Sequence, residues 1–334
     1  MNVARCNLCK HRCVIPEGKT GICGTIGNEN GKLISYVKYF PAAIHLDPIE
    51  KKPLFHFYPG SLVYSIGTFG CNFRCSFCQN WELSQFPKVE SQHISSKAKV
   101  LIRSNSLHKT PEEIVHEALR LNSRGIAYTY NEPTIWAEYA AEISDLAHRQ
   151  GLFNVFVSSG YETNETLDML KYIDAYNIDI KAFTKEFYLK YCGTRLDYVL
   201  DTIKEIYKRK KWIELTTLVI PGENNNDLED IALFIKNELD NNVPWHITAF
   251  HPDYKMKDKQ PTPYYMLENG FRIAKKVGLN YVYLGNVFSN DRENTYCPKC
   301  NTLLIERHGF KIVKNNLVDG RCPVCKTKIS GFFD

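Results

Sequence analysis

The stretch VYSIGTFGCNFRCSFCQNW, residues 63–81, decides how the rest of the sequence is interpreted. Its first seven residues are rich in β-branched and aromatic side chains, which favours a buried strand. The strand leads directly into Cys71, Cys75 and Cys78, a compact thiolate loop of the kind that wraps a cubane iron–sulfur cluster. Three local cysteines leave one iron of such a cluster open. The spacing therefore predicts a reactive metal site rather than a closed structural one.

Two other interpretations of this cysteine triad remain open. A zinc site would normally take a fourth protein ligand, and a ferredoxin-type electron carrier would take a fourth cysteine. The next cysteine along the chain, Cys192, is far from the triad in sequence. Both alternatives are therefore less favoured than a cluster with one open iron.

Short β-rich segments alternate with amphipathic helical patterns from Val63 onward, as in parallel βαβ units. About seven strands are predicted, fewer than the eight of a complete (β/α)₈ barrel. The sequence thus predicts an α/β fold with a partial, (β/α)₆-type TIM-like barrel. The TPEE sequence at Thr110 predicts a capped helix, and residues 88–109 are interpreted as a long insertion without clear periodicity. The predicted strands cover 63–69, 127–133, 153–159, 177–182, 213–220, 245–250 and 281–287.

Three domains are expected. A cysteine-rich, metal-binding segment covers residues 1–60, the partial barrel covers 61–290, and a small knob resembling a zinc ribbon or rubredoxin covers 291–334. The knob is too small to fold without a metal clamp. Metals are therefore expected at both ends of the chain as well as in the barrel.

Polar residues follow several of the predicted strands where each strand ends. They are Glu132, Asp179, Lys181 and His251, in addition to Cys71. Barrels of this kind place their chemistry at the carboxyl ends of their strands. We therefore expect these side chains on one rim.

The C-terminal cysteines form two C-x2-C pairs, CPKC and CPVC, that contain Cys297, Cys300, Cys322 and Cys325. Paired knuckles of this spacing are typical of zinc ribbons and of rubredoxin-like sites, in which four thiolates close the coordination sphere. A structural Zn²⁺ is the preferred assignment, and a single iron is the alternative because both metals use four cysteines.

The N-terminal cysteines, Cys6, Cys9, Cys13 and Cys23, are close enough in sequence to share one metal site. One interpretation is a zinc ion in a small knob ahead of the barrel. The other is a second iron–sulfur cluster that supplies electrons to the central site. The spacing is not a recognised ferredoxin pattern, and both assignments stay open.

The amino-acid composition limits the kinds of partner that the protein is expected to bind. Among the 334 residues, 42 basic and 37 acidic side chains give a formal charge of +5, too small to indicate a nucleic-acid partner. No stretch is long and apolar enough for a membrane helix, and the N-terminus lacks the apolar region of a signal peptide. A cytoplasmic protein without a membrane partner is expected, in which eleven of the twelve cysteines bind metals rather than form disulfides and Cys192 stands alone.

The triad resembles the signature of the radical S-adenosylmethionine (SAM) superfamily, in which an aromatic residue, here Phe77, precedes the third cysteine. The resemblance implies a [4Fe–4S] cluster whose open iron is chelated by the amino and carboxylate groups of SAM. It further implies reductive cleavage of SAM to methionine and a 5′-deoxyadenosyl radical, which abstracts hydrogen from a substrate. An electron donor of the flavodoxin or ferredoxin type is implied as a partner.

The resemblance also implies residues that bind SAM. The sequence YNEP, which contains Asn131 and Glu132, is similar to the Gly-Gly-Glu-Pro motif that binds the amino group of the cofactor. Asp179 and Lys181 resemble the Asp-x-Lys pair of glycyl-radical activating enzymes, in which the lysine suits the cofactor's carboxylate. His251 resembles a histidine near the adenosyl portion in those enzymes.

Within the superfamily, the sequence resembles the AmmeMemoRadiSam-system radical SAM enzymes more closely than the glycyl-radical activating enzymes. This resemblance implies Memo-like and AMMECR-like proteins as partners and leaves the substrate open. One alternative is a glycyl-radical-enzyme activase similar to pyruvate formate-lyase activating enzyme, and another is a zinc-binding interaction module on an inactive barrel. The resemblance to the AmmeMemoRadiSam group is carried by DPIEKKPLFHFYPGS, CNFRCSFCQNWELSQ, TYNEPTIW, ELTTLVIPGENN, PWHITAFHPDY, PTP and YLGNV.

Overall fold

The computed structural model describes residues 2–287 and 291–333. Its strands are β1 (Val3–Arg5), β2 (Val14–Pro16), β3 (Ile26–Glu29), β4 (Lys32–Ser35), β5 (Ala43–Pro48), β6 (Leu62–Gly67), β7 (Gly125–Tyr128), β8 (Phe153–Ser158), β9 (Ala175–Asp179), β10 (Trp212–Val219), β11 (Trp245–Ala249), β12 (Val282–Gly285), β13 (Thr295–Tyr296), β14 (Leu303–His308) and β15 (Lys311–Asn315). Its helices are α1 (Trp81–Ser84), α2 (Phe86–Ser91), α3 (Ser95–Ser104), α4 (Pro111–Arg120), α5 (Ala137–Arg149), α6 (Asn164–Met169), α7 (Lys185–Phe187), α8 (Leu196–Lys208), α9 (Leu228–Phe234) and α10 (Tyr264–Val277).

Eight strands form the central sheet, in the order β12-β11-β10-β9-β8-β7-β6-β5. Strands β6 to β12 pair in parallel with their neighbours, and β5 is antiparallel to β6. The order is linear, with β5 and β12 at its edges. The predicted α/β fold with an incomplete barrel is confirmed, and each of the seven predicted strands overlaps one of the parallel strands. Strand β7 covers Gly125–Tyr128 rather than the predicted 127–133, so residues 129–133 lie in the loop after it. Strand β5 was not predicted.

Helices cover the outer face of this sheet. Strands β7 and β11 are buried along their whole length, as expected for parallel strands that are covered on both faces. Helix α8 buries Leu196, Val199, Ile203 and Ile206, which recur at helical spacing on one face. The start of α4 has the predicted capping box, because the Thr110 hydroxyl accepts from the Glu113 amide at 3.3 Å.

Residues 88–109, interpreted as a long insertion without clear periodicity, are mostly helical in the structure. Helices α2 and α3 occupy most of that range. The buried face of α3 consists of Ser95, Ala98 and Ile102. Only two of these three residues are apolar, so the helical repeat of apolar residues is weak. Such a weak apolar stripe gives little signal in the sequence.

The cysteine-rich N-terminal segment packs directly on the barrel. Strands β1 and β2 form one antiparallel pair, and β3 and β4 form another. The amide of Lys10 donates to the carbonyl of Tyr161 at 2.9 Å, beyond the end of β8. Strand β5 lies within the same N-terminal range but belongs to the central sheet.

At the other end of the chain, β13, β14 and β15 form a three-stranded antiparallel sheet. Arg307 of β14 is buried and donates to the carbonyl of Phe55 at 2.8 Å and to the hydroxyl of Thr295 at 2.8 Å. The C-terminal sheet is therefore anchored to the segment between β5 and β6. Within residues 2–287 and 291–333, none of the helices has the length and apolar character needed to cross a membrane.

Candidate functional site

The cysteine triad lies on the loop that follows β6. Cys71 and Cys75 are buried, and Cys78 is partly exposed. The amide of Phe73 donates to the Cys71 sulfur at 3.3 Å, so the backbone of the loop turns inward around this thiol. A backbone that folds around its own thiols is the arrangement that a cluster-binding loop requires.

Two distant segments hold the triad loop in place. The amides of Arg74 and Ser76 donate to the carbonyls of Cys192 at 2.8 Å and Tyr191 at 2.9 Å, which lie in the helical turn after α7. The carbonyl of Ser76 accepts from Lys255 at 3.0 Å, in the loop after β11. The triad is therefore fixed by the carboxyl-end loops of β9 and β11.

Lys88 of α2 is a buried cation beside the triad. Its ammonium group donates to the carbonyl oxygens of Cys71 at 2.9 Å and Phe73 at 2.5 Å. Burial lowers the pKa of Lys88, and the nearby thiols oppose that effect. Sequence reasoning missed this residue because it lies in the range interpreted as an insertion.

The residues of the triad fit an iron–sulfur cluster. Burial raises the pKa of the Cys78 thiol to about 11 and that of the Cys71 thiol well above its usual value. Cys192 and burial raise the pKa of Cys75. Such thiols stay protonated at neutral pH unless a metal displaces the proton. Among the described residues, no three of these sulfur atoms lie within 4.8 Å of one another. That spacing suits separate irons rather than a single ion.

Asn131 clamps the loop that precedes the triad. Its amide nitrogen donates to the Gly70 carbonyl at 2.8 Å and to the Thr68 hydroxyl at 3.1 Å. Its oxygen accepts from the Thr68 amide at 3.1 Å and from the Trp136 indole at 3.3 Å. The side chain of Asn131, which was predicted to bind the cofactor, thus holds the loop at residues 68–70 in place.

Glu132 lies beside a second buried carboxylate, Glu162, which sequence reasoning missed. Thr134 Oγ1 is 2.6 Å from Glu132 Oε1 and 2.9 Å from Glu162 Oε1, and Ser158 Oγ is 2.8 Å and 2.6 Å from the same atoms. The two hydroxyl groups have one proton each, so they can donate in only two of these four contacts. A proton on Glu162 supplies the donor for a further contact. Burial, then the charge of Glu132, raises the pKa of Glu162 to about 7.

This raised pKa predicts a specific pH dependence of stability. The ordinary pKa of the carboxyl is 4.5, so the folded state holds the Glu162 proton more tightly than the unfolded state. The resulting stability is present below pH 4.5 and is lost as pH rises through about 7, by a free energy of unfolding on the order of 3 kcal/mol. We expect Glu162→Gln, which stays neutral, to flatten that part of the curve in denaturant titrations at several pH values. Glu165→Gln, at an exposed carboxyl, should keep the slope, and equal slopes in wild type and Glu162→Gln would contradict the assignment.

Asp179 and Lys181 form an ion pair next to the triad. Lys181 Nζ lies 2.8 Å from Asp179 Oδ2, and the lysine side chain is 10% exposed. Burial alone would lower the pKa of Lys181, but Asp179 and the thiols of Cys75 and Cys192 raise it well above its usual value. A permanent cation therefore faces the cysteine site, next to a carboxylate that is 39% exposed.

His251 follows β11 and is exposed. The loop that it begins contacts the triad through Lys255, and Tyr254 of that loop stacks on Trp81 with ring centroids 5.4 Å apart. His251 therefore lies on a loop that adjoins the triad.

The four C-terminal cysteines meet at one point. All four sulfur atoms lie within 4.8 Å of one another. Cys297 Sγ is 3.5 Å from Cys325 Sγ, and Cys300 Sγ is 3.6 Å from Cys322 Sγ. These distances agree with a tetrahedron of thiolates around one ion, for which a metal–sulfur bond of about 2.3 Å gives sulfur atoms about 3.8 Å apart.

A cavity of about 330 Å³ lies where the central sheet is open. Glu50, Lys51 and Phe55 line it from the segment after β5, and Gly285 and Asn286 line it from the end of β12. The tip of the β14–β15 hairpin forms a further wall. The cavity thus connects both edges of the incomplete barrel with the C-terminal sheet.

Three clustered thiols, two of them buried, at the carboxyl end of the first parallel strand of an incomplete barrel define a metal-cluster enzyme. The Radical SAM superfamily matches residues 65–235. The chain is 45% identical, over 98% of its own length, to an uncharacterized protein of Methanocaldococcus jannaschii, of which the match covers 95%. The chain belongs to the radical SAM superfamily.

Two further similarities are more distant. The chain is 24% identical to the pyruvate formate-lyase-activating enzyme of Clostridium pasteurianum, over 57% of this chain and 80% of that protein. The structure of TYW1 with a lysine-pyruvate adduct bound has a TM-score of 0.48 and 18% identity, with 75% of this chain and 87% of that one covered. The family match and the similarity to an activating enzyme show that the chain is a radical SAM enzyme rather than an inactive barrel. Its family implies a [4Fe–4S] cluster and SAM, and its activating members generally use a flavodoxin or ferredoxin as electron donor.

Proposed function

We propose that this chain is a radical SAM enzyme of the AmmeMemoRadiSam group that cleaves SAM reductively and abstracts a hydrogen atom from a protein or small-molecule substrate. The observation that carries the proposal is the triad of the buried Cys71 and Cys75 and the partly exposed Cys78, beside the cation of Lys181. When bound, the cluster supplies the electron that splits SAM into methionine and a 5′-deoxyadenosyl radical.

The residues of the rim have separate roles in this proposal. The ammonium group of Lys181 pairs with the carboxylate of the cofactor, and Asp179 fixes the position of that ammonium group. Glu132 and the backbone of Asn131 lie at the loop that would receive the amino group, since the side chain of Asn131 holds residues 68–70. His251 binds near the adenosyl portion. The buried surroundings of the site keep water away from a reactive radical.

The remaining parts of the proposal concern substrate and partners. The cavity at the open edge of the sheet offers access for a substrate or for a segment of a protein partner. The partners are an electron donor of the flavodoxin or ferredoxin type and Memo-like and AMMECR-like proteins. The four C-terminal cysteines hold a structural Zn²⁺, in agreement with their single-ion spacing.

The decisive experiment measures 5′-deoxyadenosine. Protein reconstituted and reduced without oxygen should release 5′-deoxyadenosine and methionine from SAM in equal amounts, as quantified by liquid chromatography. Samples without reductant are the control. Failure to release 5′-deoxyadenosine, in protein whose triad carries its full complement of iron, would overturn the proposal. Deuterium recovered in 5′-deoxyadenosine from labelled cell extract would then identify the substrate.

A glycyl-radical activase is a second candidate, which the similarity to pyruvate formate-lyase-activating enzyme favours. The two candidates share the cleavage of SAM and differ in the group that loses hydrogen. Mixing with a candidate glycyl-radical protein should give a glycine-centred doublet in the EPR spectrum if the activase function is correct. Deuterium transfer from a small molecule, without such a doublet, would exclude it.

A further inference from the structure

We propose that Cys6, Cys9, Cys13 and Cys23 hold a second [4Fe–4S] cluster next to the central one. The four thiols line a single cavity between β1, β2, β3 and the triad loop. Three of them are buried and Cys13 is partly exposed. They are thus brought together by the fold as one ligand set.

The spacing of these thiols distinguishes a cluster from a single ion. A zinc ion with bonds of about 2.3 Å to sulfur draws its four thiolates to about 3.8 Å from one another. The C-terminal cysteines have that arrangement, but among the described residues no three of the N-terminal thiols lie within 4.8 Å of one another. In a cubane each thiolate binds a different iron, so the sulfur atoms stand farther apart. The two sets of four cysteines in one chain therefore have two different geometries.

A buried amide donor faces these thiols. Asn72 lines the cavity and is 1% exposed, and its amide nitrogen, which has no oxygen acceptor among the described residues, is directed at the Cys9 thiol. Metal-bound thiolates and the sulfides of a cluster accept such a hydrogen bond better than a protonated thiol does. On the opposite side, the Thr25 hydroxyl donates to the Cys23 sulfur at 3.3 Å. The other lining side chains are apolar, namely Leu8, Ile15, Ile22, Ile26 and Ile135, with Gly21.

The N-terminal set shares a wall with the central site. Asn72 is the residue after Cys71 and lines the N-terminal cavity. Gly70, with a φ of +89°, lies so close to the N-terminal loop that a side-chain carbon there would be 2.7 Å from the Cys23 carbonyl. The buried Lys88 interacts electrostatically with both Cys71 and Cys23. The two ligand sets are therefore adjacent.

This adjacency suits electron exchange. A flavodoxin- or ferredoxin-type donor reduces the N-terminal cluster by one electron, and that cluster then returns to its oxidised state as the central cluster gains the electron. This role rests on the proposed SAM cleavage, whereas the metal site itself does not.

The test compares variants of the whole chain by iron and zinc analysis and by EPR after anaerobic reconstitution. Cys71→Ala/Cys75→Ala/Cys78→Ala should retain roughly four irons per chain and a reducible cluster, half the iron of wild type. Cys9→Ala/Cys13→Ala should lose the other half and keep the central cluster. Cys300→Ser, the matched control, should lose zinc alone. Two zinc ions per chain and no iron in the triad variant would overturn the proposal, even if Cys9→Ala/Cys13→Ala does not fold.

A second measurement tests the electron role. In Cys9→Ala/Cys13→Ala, reduction of the central cluster by a protein donor should be lost or strongly slowed, while reduction by dithionite proceeds. Unchanged reduction by the protein donor would overturn the relay. Wild type that holds both clusters and releases no 5′-deoxyadenosine would instead overturn the proposed function and leave the second metal site standing.

Discussion

Replacing Cys75 with alanine should abolish the release of 5′-deoxyadenosine from SAM. Cys75 is 7% exposed, and Lys181 lies close enough to contribute to the electrostatics of its thiol. A [4Fe–4S] cluster with one open iron has three protein ligands, so removal of one leaves two irons without a protein ligand. We expect loss of the central cluster in the EPR spectrum and, with it, loss of the cleavage measured by chromatography.

Cys192 provides a matched control for this substitution. It is fully buried, and its thiol lies within hydrogen-bonding reach of the Cys75 thiol. It lies outside the triad, in the turn whose carbonyl accepts from Arg74. Cys192→Ala should retain the central cluster and the cleavage of SAM. Equal loss of the cluster in both variants would make Cys192 a fourth ligand and would contradict an open iron.

The central strands and the triad could be predicted because their signals are local. Strands β6 to β12 are short β-rich segments at regular intervals, and Cys71, Cys75 and Cys78 lie within eight residues. Strand β5 was missed because two of its six residues are exposed and its pairing with β6 is a tertiary contact. Its sequence, AIHLDP, ends in proline and has little β signal.

The supporting residues of the site could not be predicted, since each acts through a distant partner. Lys88 reaches the carbonyls of Cys71 and Phe73 only after α2 folds against the triad loop. Glu162 meets Glu132 across two neighbouring loops, through shared hydroxyl groups. Roles that depend on the cofactor, such as those proposed for Asp179 and His251, stay predictions. The metal ligands could be predicted because their spacing is local in the sequence. The charged and hydrogen-bonding groups around them could not, because tertiary packing brings them to the site.

Glu214 is the centre of a buried network that joins three parts of the molecule. Its carboxylate accepts from the amides of Phe55 at 2.9 Å and His56 at 2.8 Å, and it lies 2.7 Å from His246 Nε2 and 3.1 Å from Trp212 Nε1. His56 continues the network to the Ser330 carbonyl at 2.6 Å. The segment after β5, the barrel strands and the C-terminal segment are thus connected through one side chain.

We therefore expect Glu214→Ala to be the most destabilising of the substitutions considered. The carboxyl is fully buried, and although burial alone would raise its pKa, His246, His56 and the backbone donor hold that pKa below its usual value. Its removal leaves buried donors and His246 without an acceptor, which costs about 3–5 kcal/mol in the free energy of unfolding. Because the pKa is lowered, the stability that Glu214 supplies is present above about pH 4.5 and is lost as pH falls.

Denaturant titration of anaerobically prepared protein near neutral pH should reveal this loss. Glu142→Ala is the matched control, because Glu142 also pairs with a cation and accepts a second hydrogen bond, from Lys38 at 2.7 Å and Tyr39 at 2.9 Å. Its side chain is 41% exposed, so its removal should cost less than about 1 kcal/mol. An equal reduction of the free energy of unfolding by the two substitutions would contradict this prediction. Burial of Glu214 would then not be the source of the stability, and other contacts would hold the three parts of the molecule together.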